Sequence, residues 1–144
     1  MNEADYRRIT YDIALAAART LVELNPSMTF VFVSGTGADS SERGRPMWAR
    51  VKGATENAIL ALPFKASYVF RPAFVQPMHG IRSRTGWYNA FYSLLWPLYP
   101  VLSRIAPRYV LTTEQIGRAM LHVVRHGAPR PVLESPDVRG LLQM

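Results

Sequence analysis

This sequence contains no cysteine, which excludes a disulfide framework and any thiolate metal site. A reducing, cytoplasmic setting is the expectation that follows. Acids are scarce, ten against 17 lysines and arginines, so paired carboxylates for general acid and base work have little material to form from. No block of five or more like charges is present. The net charge of +7 is spread along the chain, and dedicated nucleic-acid binding, which needs a clustered patch beside a reading element, is not expected. The opening MNEADYRR has no apolar stretch of a secretion signal. No run reaches the roughly 18 uninterrupted apolar residues of a membrane span. The nearest approach, 87–106, is interrupted by Asn89, Pro97, Pro100 and Arg104. It reads as short packed helices, or as a surface-lying segment through Trp87, Tyr88, Tyr92, Trp96 and Tyr99, which are interfacial side chains. There is no Gly-x-Ser-x-Gly elbow, no His-Glu-x-x-His, no internal repeat and no glycine-rich phosphate turn.

What is there is enough for one packed domain: 144 residues, 49% of them hydrophobic. A helix is predicted from the N-terminus, capped by Asn2, with Tyr6, Ile9, Ile13, Ala16, Ala17, Thr20 and Leu24 at helical spacing and Asn25-Pro26 ending it. Thr29–Ser34 reads as a strand apolar enough to be covered on both faces. A Gly/Ser-rich loop, 35–44, leads to a helix that starts near Pro46 and runs to about Leu62. A second strand spans Ser67–Arg71, and 72–84 reads as a long loop. Thr112 and Gln115 form a capping box for a helix that stops at Gly127. A weak strand, Pro131–Glu134, precedes a last helical turn capped from Ser135. Strands alternating with helices imply a parallel sheet joined by crossovers. With only two strong strands and one weak one, the chain has the look of half a doubly wound domain.

In such sheets chemistry gathers at the carboxyl ends of the strands. Ser34 stands at one of them and Lys52 in the first turns of the next helix. A serine there can hydrogen-bond a substrate, and a lysine can hold a ribose and lower a neighbouring phenol's pKa. His122 and His126 lie four apart on a helix, a spacing that permits a metal pair but lacks a third ligand; a solvated helix end is the expected role.

The ordered segments VFVSGTGADSSERG, MWARVKGATENAIL, YVFRPAFVQP and YVLTTEQIGRAML together resemble the second half of an atypical or extended short-chain dehydrogenase/reductase. This is the NAD(P)-dependent epimerase/dehydratase-like group. The resemblance implies a partial Rossmann-like, doubly wound parallel sheet with extra C-terminal helices, and an aromatic capping segment at 84–110. It implies that Ser34 positions substrate and Lys52 contacts the nicotinamide ribose of NAD or NADP. Pro72, Ala73, Phe74 and Val75 would wall the nicotinamide pocket. Two departures follow. Trp48 stands where that family carries its catalytic tyrosine, and indole cannot exchange a proton near neutral pH; Tyr11 is a conceivable substitute. The glycine-rich turn that seats a pyrophosphate is also missing, so the chain is expected to be a truncated form with weak or no activity alone. The rival expectation is a non-catalytic Rossmann-like module that meets a membrane surface or a protein partner.

Overall fold

The computed structural model describes residues 2–76, 78 and 107–143. It is an α/β structure built on a small parallel sheet. The first helix is continuous but not uniform. It consists of α1 (Glu3–Arg7), a π-helical stretch (Arg8–Asp12) and α2 (Ile13–Leu24). Asn2 caps it as expected, its side chain accepting from the Asp5 N–H at 2.8 Å. In the wider π turn the Arg7 guanidinium lies 3.9 Å from the centre of the Tyr11 ring.

Strand β1 (Thr29–Val33) follows, then α3 (Met47–Leu60) and β2 (Ala66–Arg71). Pro46 is the residue just before α3, in extended conformation. Two three-residue strands come next, β3 (Phe74–Gln76) and β4 (Val110–Thr112). The chain closes with α4 (Thr113–His126), β5 (Val132–Glu134) and α5 (Ser135–Leu141). The segment 87–106, with its aromatic residues, lies outside the described residues.

The main sheet has the order β1-β2-β5, all parallel. Its centre is β2, which is why Val69 and Phe70, neighbours that point to opposite faces, are both fully buried. Phe70 joins Leu111, Ile116, Ala119, Val123, Leu133, Val138 and Leu141 in one core cluster. Helix α3 also packs on β2, and α2 packs on α3.

Four expectations need correction. Strand β1 is not covered on both faces: its residues are half-buried or exposed, with Val33 43% exposed, because it is the edge of the sheet among the described residues. The long loop after Arg71 contains β3, which pairs in parallel with β4 from Phe74↔Val110 to Gln76↔Thr112. Three-residue strands carry too short a pattern to be read from spacing. The last helix is capped by Glu134, whose carboxylate accepts from the backbone three residues on while Asp137 reaches back; Ser135 is already helical. Finally, α2 buries Leu15, Ala18 and Val22, and the stripe through Ile9, Ile13, Ala16, Ala17, Thr20 and Leu24 faces outward. The helix carries two apolar faces, and the less continuous one packs inward.

Candidate functional site

The site lies where β1 ends. The Ser34 N–H donates to the Phe70 carbonyl at 2.8 Å and the Thr36 N–H to the Pro72 carbonyl at 3.1 Å. These bonds extend the β1–β2 ladder past its last paired residues and hold 34–36 against the start of the 72–76 stretch. Beyond them Gly37 turns the chain with a φ of 82°, a left-handed conformation that suits glycine.

Asp39 then organises the rest of the loop. Its carboxylate accepts from the Ser41 N–H at 3.0 Å, the Ser41 hydroxyl at 2.7 Å, the Arg43 N–H at 3.0 Å and the Gly44 N–H at 2.5 Å. These donors, the Ser41 hydroxyl first, hold its pKa down at about 2. The Asn57 amide, from α3, donates to the Ser40 carbonyl at 2.9 Å and to Glu42 at 2.8 Å, which fastens the loop tip to the helix.

Two side chains of α3 close over this loop. A Cβ added to Gly35 would sit 2.9 Å from Lys52 Nζ, and one on Gly37 would sit 2.9 Å from Trp48 Cη2. Lysine and indole, one helical turn apart, thus occupy the space that side chains at 35 and 37 would need. Trp48 keeps 42% of its surface exposed. Lys52 is half-buried, and its Nζ donates no hydrogen bond among the described residues. Burial lowers its pKa below the usual lysine value, and the charge of Glu56 partly opposes that effect.

Glu56 is one turn further along α3 and fully buried. Its carboxylate is held by Arg71, whose Nε lies 3.2 and 3.0 Å from the two oxygens and whose Nη2 also donates to it. Arg71 reaches Glu134 on β5 at 3.3 Å and the Ser40 hydroxyl at 2.6 Å. Burial works against the guanidinium charge, but the hydrogen bonds and attraction of Glu56, then Glu134, outweigh it and raise the pKa. The consequence for Lys52 is direct. Glu56 is already held by a bidentate arginine, and Lys52 forms no ion pair with it among the described residues.

Ser34, Lys52 and Trp48 are therefore brought to one edge. Ser34 Oγ is buried there with no hydrogen-bond partner among the described residues, which carries an energetic cost. Ser67 Oγ is likewise unpartnered, but it stands within β2. Along 72–75 the Ala73 N–H donates to Ser135 Oγ at 2.8 Å and Phe74 and Val75 pair with β4. That stretch is tied to α5 and β4, and the Ala73 N–H is already used. Tyr11 is held in the π turn beneath Arg7.

The place of Ser40, Glu134 and Ser135 in the site was not visible in the sequence. Glu56 and Arg71 had local signals, the Lys-x-x-x-Glu spacing and the Arg-Pro pair. Glu134 is 63 positions from Arg71, and nothing local links them. His122 and His126 have ring centres 5.0 Å apart. With Tyr68, Gly127, Ala128, Pro129 and Leu141 they line a separate cavity of about 480 Å³. Among the described residues no three metal-ligating side chains gather, and no helix is long and apolar enough to cross a membrane. No protein-family model matches the chain, and no curated protein matches it.

Proposed function

We propose that the chain is the carboxyl half of an NAD(P)-dependent reductase- or epimerase-like protein, a partial Rossmann-like fold whose β1 edge holds the nicotinamide end of the cofactor. The observation that carries this reading is Lys52: a half-buried amine with no hydrogen-bond partner among the described residues, left out of the Glu56–Arg71 pair and close over Gly35. A ligand with ribose hydroxyls would take up its donors, and the orphaned Ser34 Oγ would take a carbonyl or hydroxyl of the substrate. Pro72–Val75 fits as a wall beside them. When bound, the cofactor supplies hydride transfer; the residues of this chain supply orientation. Proton transfer is the weak point, since Trp48 can donate a hydrogen bond but cannot act as an acid or base. The pyrophosphate cradle is not among these residues, so affinity for a whole dinucleotide is expected to be low.

Reduced nicotinamide mononucleotide tests the reading without relying on that cradle. Its fluorescence is expected to change on titration with the protein, and Lys52→Met is expected to abolish the change. The same substitution should raise the melting temperature at neutral pH. A lysine whose folded pKa is lowered costs stability while protonated, and the gain should fade as pH approaches 10.5. A stabilised variant that has lost binding marks Lys52 as a ligand-binding residue.

The exposed indole favours a second reading, a non-catalytic binding module relieved of proton transfer. Trp48→Tyr separates the two. A gain in carbonyl reduction with bound cofactor supports latent reductase chemistry, and no gain supports the module.

A further inference from the structure

The cavity at the carboxyl end of α4 plays no part in the site at the β1 edge. It opens beside the turn into β5, where Gly127, Ala128 and Pro129 leave the helix. Its volume of about 480 Å³ is that of a small-ligand pocket. His122, His126 and Tyr68 give it polar side chains. The chain has 17 lysines and arginines, yet none of the described ones lines this cavity. Arg125, next to His126 in sequence, is exposed and outside the lining.

The two imidazoles have the geometry of a chelate. Residues four apart share one face of a helix. Here the ring centres are 5.0 Å apart and the ring planes are inclined at 51°. An imidazole lone pair lies in the plane of its ring. Stacked rings would aim their lone pairs along parallel lines, whereas inclined planes cross, and one ion can lie in both. A zinc–nitrogen bond of about 2.0–2.1 Å puts the ion about 3.2 Å from each ring centre. Centres 5.0 Å apart then subtend about 100° at the ion, close to the tetrahedral angle that zinc adopts.

Two neighbouring features favour a cation there. His126 is the last residue of α4, and the carbonyls at the carboxyl end of a helix carry partial negative charge that attracts positive ions. Tyr68 Oη accepts from the Ala128 N–H at 3.3 Å. It gives its own hydrogen to no acceptor among the described residues, so it has a donor to spare for whatever the ion carries.

We infer that His122 and His126 bind one divalent transition-metal ion of the zinc class, with the open half of its coordination shell turned to the cavity beside Tyr68. Imidazole nitrogen suits zinc, copper and nickel, whereas magnesium takes oxygen ligands. Among the described residues no third His, Cys, Asp or Glu joins the pair. Water or a small anion therefore completes the shell, with the Tyr68 hydroxyl as its hydrogen-bond donor. Structural zinc sites are closed by four protein ligands; two ligands hold the ion reversibly. This inference is independent of the role assigned to Lys52.

Isothermal titration of the whole chain with zinc chloride should show one saturable equivalent, and magnesium chloride should show none. His122→Ala and His126→Ala should each weaken zinc binding at least about tenfold, because a single imidazole loses the advantage of a second tethered ligand. His79→Gln, which removes the third histidine of the chain, should leave binding unchanged.

A transposed pair separates chelation from mere histidine content. His126→Ala combined with Val124→His keeps three histidines but sets the pair two residues apart, where helical side chains do not face each other. Val124 is 53% exposed, so the fold tolerates the change, and far-ultraviolet circular dichroism checks it. This variant should bind zinc no better than His126→Ala alone. Zinc should raise the melting temperature of the wild-type chain and not that of the transposed one. The site is overturned if zinc does not saturate, or if magnesium binds equally well. It is also overturned if His79→Gln weakens binding as much as His122→Ala, or if the transposed variant binds like the wild type.

Discussion

Arg71 is the residue on which the site turns. It joins α3, β2, β5 and the loop after β1 through Glu56, Glu134 and Ser40. The Glu56 side chain is 1% exposed and that of Arg71 12%, so removing either partner strands a buried charge. Arg71→Met is expected to cost about 3–5 kcal/mol, and Glu56→Gln nearer the lower figure because Glu134 and Ser40 still serve the guanidinium. Glu56→Leu combined with Arg71→Met should recover most of the loss, since a well-packed apolar pair replaces a buried ion pair at little net cost. Urea denaturation of the three variants measures this. Asp39 supplies a pH signature at the same scale. Its folded pKa is depressed from 3.8 to about 2, so its contribution is complete above about pH 4 and is lost as pH falls towards 2. Asp39→Asn should flatten the pH dependence of thermal stability in that window, where the wild-type protein weakens.

Among the elements, α3 is the most constrained, because the loop after β1 lies directly on it. A Cβ on Gly53 would come within 1.7 Å of the Asp39 carbonyl oxygen, a backbone atom that cannot move aside cheaply. Glycine inside a helix ordinarily costs up to about 1 kcal/mol relative to alanine. Here Gly53→Ala should reverse the usual sign and destabilise by about 1–3 kcal/mol or more, with the Lys52 edge opening as the loop is displaced. Gly117 in α4 has nothing within 4 Å. Gly117→Ala should follow the ordinary rule and stabilise by about 0.5–1 kcal/mol. Paired thermal melts of the two variants, identical in chemistry and opposite in sign, check the packing of α3.

At the scale of the whole molecule, the open flank of β1 matters most. The strand pairs with β2 on one side and has no partner strand on the other among the described residues. An unpaired edge recruits further strands, and that growth is open-ended. Val33, 43% exposed at the end of this strand, is the place to add a charge. Val33→Lys is expected to reduce light scattering during refolding without lowering the melting temperature.

The sequence by itself determined the local elements. Asn2, the Thr112–Gln115 box and Gly127 mark helix ends through bonds made within a few residues. The apolar runs around Val31 and Val69 mark the two main strands, and the order of those elements set the parallel sheet and the edge where Ser34, Trp48 and Lys52 collect. Tertiary structure alone decided what depends on distant partners. It turned the stripe through Ile13 and Leu24 outward, because Leu15, Ala18 and Val22 are the side chains that α2 buries. It made β3 and β4 strands, each too short to show a pattern without the other. It also brought Glu134 and Glu56 to Arg71, so that Lys52 forms no ion pair among the described residues. Helix caps and periodicity arise from bonds between near neighbours and can be read along the chain. The partner of a buried charge is set only once the chain has packed.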